Sequence, residues 1–453
     1  MRITSYKRAV EYLESLIPNK NTGKRLYKLE RVAHLLELMG NPHESFKSIH
    51  IGGTAGKGSI TYITAGILKK AGYKAGLHIS PHINRVNERI QVNGKEISDK
   101  DLTELVEWAK PKIEKTGRET DGLPTYFEAV VAIAFEHFRR KKVDVAAIEV
   151  GLGGKLDATN VITPLVSVIT NIHFDHRNIL GWTVGAIARN KAGIIKEGVP
   201  VVTGATQKDA LEVIKKKAKK EKAPLTIMGR DVQTKLKKLG PEGLLLNVKT
   251  KKETYLNLKT PLLGEYQAVN IATAITALEK SKLKVSKETI RKALREVRIP
   301  GRIEAFNIKT LHGNKTIILD GAHNPKKMES FVQTIKKLFP KKKFTFIFAI
   351  KKGKNQTGTM RKIAPITRKI YFSQFLSTTD FGKKKSKSAR SLSLKMKKVS
   401  KVERRIVRSP EEALDLAIKE FKGDDIIIVT GSFYLVGEVR ARIFESLLKK
   451  KVK

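Results

Sequence analysis

Residues 49–59 read Ile-His-Ile-Gly-Gly-Thr-Ala-Gly-Lys-Gly-Ser, and no other stretch narrows so sharply what this chain can fold into. A short β-branched run enters four glycines, a lysine and a serine within Gly52–Ser59, and a helical stretch, Ser59–Lys70, follows. A strand, a glycine turn and a helix N-terminus form a phosphate cradle. Small residues let backbone N–H groups approach the oxygens, the helix dipole favours the anion, and the lysine adds a positive charge. The spacing departs from the standard P-loop: Ile51 stands where the first glycine would fall, and Gly58 separates Lys57 from Ser59. Gly53, Thr54, Gly56, Lys57, Gly58 and Ser59 are the expected nucleotide-binding residues, with Ser59 placed for phosphate or Mg²⁺. The alternative, a glycine-rich turn carrying a surface lysine, is disfavoured by the strand before it and the helix after it.

Around this loop, short apolar runs alternate with amphipathic stretches. Strands are expected at Ile49–Ile51, Ala75–Ile79, Val143–Val150, Leu165–Thr170 and Val199–Thr203, and helices at Ser59–Lys70, Asp101–Lys115, Tyr126–Arg140 and Lys208–Lys222. Such alternation predicts an α/β domain on a mainly parallel sheet. A second series follows Pro300-Gly301, with strands at Thr316–Asp320, Phe344–Ala349, Lys369–Ser373 and Ile426–Thr430 and helices from about Pro325, Pro410 and Leu435. The Pro-Gly pair reads as a hinge between residues 1–299 and residues 300–453. Lys383–Lys401, rich in lysine and serine, reads as a solvated loop.

Composition excludes several classes. At 453 residues with 40% hydrophobic content, the chain suits two or three domains, each with its own core. The longest apolar runs are far too short to cross a membrane. The N-terminus reads as an amphipathic helix (Ile3, Tyr6, Val10, Leu13 and Leu16 on one stripe) and not as a signal peptide. The absence of cysteine rules out disulfides, thiolate nucleophiles and cysteine-held zinc, and fits a cytoplasmic enzyme. Ninety basic against 44 acidic residues give a formal net charge of +46. Counterion release makes a nucleic-acid binder one reading of that charge. The lysines, however, are spread over the whole length, on polar helix faces such as Lys215–Lys222, which favours a general lysine bias that also attracts anionic substrates.

Ordered motifs then run through almost the entire chain. They include Arg25-Leu26-Tyr27-Lys28-Leu29-Glu30-Arg31, Ser80-Pro81-His82, Asn87-Glu88-Arg89-Ile90 and Thr125-Tyr126-Phe127-Glu128. Next come Glu149-Val150-Gly151-Leu152-Gly153-Gly154, Leu156-Asp157-Ala158-Thr159-Asn160, Asp175-His176 and Lys191-Ala192-Gly193. Gly264-Glu265-Tyr266-Gln267 with Asn270, Pro300-Gly301-Arg302, Asp320-Gly321-Ala322-His323-Asn324-Pro325 and Thr430-Gly431-Ser432 complete the series. Together with the glycine loop, these resemble the folylpolyglutamate synthase and dihydrofolate synthase family, a branch of the Mur ligases. The resemblance implies an α/β fold with an N-terminal P-loop-type Mur ligase ATPase domain and a C-terminal Rossmann-like α/β domain.

The same resemblance implies roles at matching positions. Ser80, Glu149 and His176, with Ser59, would hold Mg²⁺; Lys191, once carbamylated, would serve a second magnesium. Asn270, Arg302, Asp320 and His323 would meet ATP, with Lys57, Lys191 and His323 closest to the chemistry. Phe127 and Asp157 would border the pterin pocket, and Ser432 would help receive the incoming amino acid. The chain departs from the family pattern at Ala55, Asn190, Tyr266 and the residues flanking Lys354. The implied reaction phosphorylates a carboxylate of folate or dihydropteroate with ATP, and L-glutamate then displaces the phosphate from the acyl phosphate. A monomer that binds no membrane is expected. The rival readings are a Mur-type ligase acting on another acceptor and a nucleic-acid-associated ATPase. Only the charge favours the ATPase.

Overall fold

The computed structural model describes residues 2–18, 28–310, 313–380, 382–420 and 425–451; Arg25-Leu26-Tyr27 of the first motif lie outside these. Eight strands make the first sheet: β1 (Lys47–Gly52), β2 (Ala75–His78), β3 (Ile90–Val92), β4 (Lys95–Glu96), β5 (Val145–Glu149), β6 (Val166–Ile169), β7 (Val201–Thr203) and β8 (Leu225–Ile227). Their order is β4-β3-β2-β5-β1-β6-β7-β8, with β1 lying parallel between β5 and β6. The inner strands are buried along their length and read as unbroken apolar runs because helices cover both faces. The capping is local and readable. Ser98 accepts from Asp101 N–H at the start of one helix, and Thr125 and Glu128 form a reciprocal capping box at the start of Tyr126–Arg140.

A three-stranded antiparallel sheet follows: β9 (Gln233–Gly240), β10 (Gly243–Lys249) and β11 (Thr254–Thr260). The last sheet gathers β12 (Glu304–Thr310), β13 (Gly313–Asp320), β14 (Phe344–Phe348) and β15 (Thr367–Phe372). A two-stranded ribbon, β16 (Leu376–Thr379) and β17 (Gly382–Lys385), interrupts the series before β18 (Glu403–Ile406) and β19 (Ile426–Thr430). The order β12-β13-β19-β14-β15-β18 is parallel apart from the β12–β13 pair. Separate apolar clusters sit on the two faces of this sheet.

The stretch Lys383–Lys401 is not a loop. It enters as β17 and then forms the helix Ala389–Lys397, capped by the Ser388 side chain on Ser391 N–H. Ala389, Leu392 and Met396 recur at helical spacing and are buried, so three apolar anchors outweigh the lysine-rich composition. The N-terminal helix spans Tyr6–Ser15, and Ile3 and Leu16 pack just outside it. Among the described residues, no helix is long and apolar enough to cross a membrane.

Candidate active site between the two sheets

Parallel strands converge their carboxyl ends on one edge, and the glycine loop lies there, between the ends of β5 and β6. In an open α/β sheet this edge is where ligands bind. Ile51 is in register with Glu149, and Gly52 with Ile169. Gly53 has φ +128°, and a Cβ there would lie 1.9 Å from Thr170 Oγ1, so the loop requires glycine. The segment that follows β6 pins it. Thr54 N–H donates to Asn171 O (2.8 Å), Ala55 N–H donates to Asn171 Oδ1 (2.9 Å), and His173 N–H donates to Thr54 Oγ1 (3.1 Å). Beyond the loop, Lys57 opens the helix Lys57–Lys70, in which Ser59 is buried. Asn270, on the helix Tyr266–Lys280, packs on the loop: a Cβ on Gly56 would lie 2.6 Å from its Oδ1.

Glu149 faces this loop. Its Oε2 accepts from Ser80 N–H (3.2 Å), and its Oε1 lies 3.8 Å from Lys57 Nζ. Burial raises its carboxyl above the ordinary range, with Lys57 opposing. Lys191 is 4% exposed and donates to Gly53 O (2.7 Å). Burial, with Lys57 nearby, pushes its amine down to about 7. His176 adopts a left-handed conformation (φ 46°) at the start of the short helix Arg177–Leu180, 3.6 Å from Asp175.

The second sheet faces the same space. Asp320 ends β13 and accepts from Ile303 N–H (3.0 Å) and Ala322 N–H (2.8 Å). His323 Nδ1 lies 2.8 Å from Gly321 O, which assigns the proton to Nδ1 and turns Nε2 outward. Burial holds that imidazole well below its usual range. Arg302 stacks over Phe433, 4.4 Å from the ring centroid.

Between the sheets lies a cavity of about 280 Å³. Ser80, Phe127, Asp157, His176, His323 and Ser432 all line it, so predicted metal, nucleotide and substrate residues share one space. Phe127 lies against Gly151, where a Cβ would come within 2.4 Å of its ring. Asp157 is a turn-former as well as a wall: Leu152 N–H (2.7 Å), Thr159 N–H (3.1 Å) and the Thr159 hydroxyl (2.5 Å) all donate to it. The Ser432 hydroxyl accepts from Tyr434 N–H (3.2 Å). Asn270 and the glycine loop are not part of this wall; they pack on each other beyond it.

Two features escape sequence reasoning. Arg89, 1% exposed, pairs with Asp380 across the cleft at 2.7 Å and lies over the Tyr126 ring. Asp380 carries a signal in hindsight, being the sole acidic residue between Glu329 and Glu403. The other is Lys327, whose Nζ lies 3.4 Å from His323 Nε2; in so lysine-rich a chain nothing marks it out.

A glycine phosphate loop and a strand-end glutamate on one lobe, facing a second α/β lobe across an aromatic-walled cavity, define a nucleotide-dependent ligase of the Mur type. Residues 51–278 match the Mur ligase middle domain, and residues 304–443 match the dihydrofolate synthetase C-terminal domain. A dihydrofolate synthase/folylpolyglutamate synthase of Bacillus subtilis is 34% identical, covering 92% of this chain and 94% of that protein. The crystal structure of a folylpolyglutamate synthase from Thermotoga maritima superposes with TM-score 0.84 at 34% identity, covering 96% of each chain. E. coli FolC in complex with DHPP and ADP gives 0.82 at 27% identity, covering 98% of this chain and 99% of that one. The chain belongs to the folylpolyglutamate synthase/dihydrofolate synthase family.

Proposed function

We propose that this protein uses ATP to activate a carboxylate of a folate or dihydropteroate and joins L-glutamate to it through an amide bond. One observation carries this reading: Ser80, in the wall of the Phe127 cavity, donates its N–H to Glu149, whose other oxygen faces Lys57 of the phosphate loop. Three residues divide the nucleotide side. The loop N–H groups and Lys57 receive the phosphates, Asn270 borders the loop, and Arg302 brings a planar guanidinium from the second lobe. On the acceptor side, Phe127 would offer a flat face to a ring system, and Ser432, in the same cavity wall, would receive the incoming glutamate. Phosphoryl transfer needs mainly in-line placement and charge neutralisation, which two facing lobes supply. The acceptor carboxylate oxygen bonds to the γ-phosphorus and ADP leaves; the glutamate amine then attacks the acyl carbon and expels phosphate.

Magnesium fits the residues present. Among the described residues, no group of three His, Asp or Glu side chains forms a closed metal site. Magnesium suits such a place because it takes much of its coordination from water and substrate phosphates. Glu149, buried beside the loop with Ser80, would hold it, with Ser59 on the phosphate side and His176 nearby; bound there, it would neutralise phosphate charge. Lys191 as an amine would repel a second ion. An amine held near pH 7 is largely neutral in mildly alkaline solution and competent to react with carbon dioxide, giving a carbamate of the opposite charge.

We read the enzyme as a cytoplasmic monomer whose positive field draws anionic substrates. The assay is ADP release by the purified protein with ATP, magnesium, glutamate and either dihydropteroate or tetrahydrofolate. Release that requires both glutamate and one acceptor is expected. Release without either, or release stimulated by DNA or RNA, would overturn the reading in favour of an ATPase.

A further inference from the structure

The helix Pro325–Leu338 breaks a local rule at its start. Helix N-termini favour acidic side chains, yet this first turn carries no acid and two lysines, Lys326 and Lys327, directly after Pro325. Both reach toward the cleft. Lys326 Nζ lies 3.4 Å from His173 Nδ1 on the opposite lobe, and Lys327 Nζ lies 3.4 Å from His323 Nε2. His323 lines the acceptor cavity together with Lys354. Lys57, Arg302 and Lys354 all act repulsively on Lys327, and Asp175 alone opposes them among the strongest influences. Four cations and a helix N-terminus thus meet three acids here, Glu149 facing Lys57, Asp320 beside Arg302 and Lys327, and Asp175, which leaves positive charge in excess. A local rule broken with cations left in excess points to a ligand. The ligand is an anion of high charge.

Placement says which anion. Lys327 stands beside His323, which lines the cavity, and within electrostatic reach of Lys57 at the glycine loop. We propose that Lys327 contacts the phosphoryl group in transit from ATP to the acceptor carboxylate, making it a further catalytic residue of this reaction. This rests on the ligase reading above. In the step, an oxygen–phosphorus bond forms to the acceptor, the bond to the bridging oxygen breaks, and its electron pair leaves with ADP. Lys327 remains protonated throughout and moves no proton. Burial and neighbouring cations hold its amine down at about 8, and an anion beside it would draw it upward.

Binding of AMPPCP and of ADP, measured by calorimetry with magnesium, separates the possibilities. Lys327→Met is expected to weaken AMPPCP about tenfold, the scale of one charge-assisted hydrogen bond, and to change ADP less than about twofold. Its kcat is expected to fall at least as far, and Lys327→Arg to recover most of the loss. Lys326→Met serves as the neighbouring control and should leave both affinities intact. Equal weakening of AMPPCP and ADP, or no change in either with an unaltered melting temperature, would overturn the proposal. Should Lys327→Met not fold, Lys327→Gln takes its place with the same two outcomes. A wild-type protein that binds neither nucleotide sinks the ligase reading itself, and this assignment with it.

Discussion

Glu149 and Asp320 stand at matching places in the two sheets: each closes a strand with a parallel neighbour, each is buried, and burial raises each carboxyl. Their surroundings differ. Both oxygens of Asp320 accept backbone N–H groups, from Ile303 and Ala322, so the side chain braces the turn after Gly301 to the turn before His323. Glu149 accepts from Ser80 N–H at one oxygen and leaves the other facing Lys57 across 3.8 Å, beside Gly58. A strand-end acid with both oxygens engaged by backbone N–H groups holds the backbone; one with an oxygen free of them beside a phosphate loop can bind a cation.

That contrast can be broken by substitution. Glu149→Gln should lower kcat about a hundredfold or more, the scale of losing a metal ligand, while the urea midpoint does not fall. The sign follows from linkage. The folded-state carboxyl titrates above its unfolded value, so stability declines as pH rises through that window, and the uncharged amide removes the decline. Measured kcat near wild type would erase the distinction. Asp320→Ala should behave oppositely, costing about 2 kcal/mol in urea unfolding, because two buried N–H groups lose their acceptor. If its unfolding curve overlays the wild type, the bracing role is wrong. A smaller effect sharpens the loop side. Lys191, its amine lowered to about 7, is expected to be mostly charged at pH 6 and mostly neutral at pH 8. Activity in buffer stripped of carbon dioxide should therefore respond to added bicarbonate more at pH 8 than at pH 6, and Lys191→Arg should abolish the response. An equal response at both pH values would argue against a carbamate.

Periodic elements and glycine punctuation were legible in the chain, and the parallel core followed from them. The ribbon β9–β11 was not. Its alternation is diluted by lysines and its register breaks at Leu246, so neither period stands out. Lys383–Lys401 misled for a related reason: basic surface residues outnumber the three anchors that fix its helix. At the site, motif residues named from sequence, among them Ser80, Phe127, Asp157, His176, His323 and Ser432, come to line one cavity. Lys327 could not be named that way, since its role depends on which charges the fold brings near it, and charge proximity between distant segments has no local pattern.

The ion pair between Arg89 and Asp380 joins segments 291 residues apart. Because the guanidinium is enclosed, loss of Asp380 would strand a charge where water cannot reach it, a penalty far greater than the pair itself is worth. A single acid in a small ribbon thereby acts as a clasp between the lobes. An alteration in the last quarter of the chain can loosen the cavity that Asp380 lines while leaving the phosphate loop, in the first quarter, untouched.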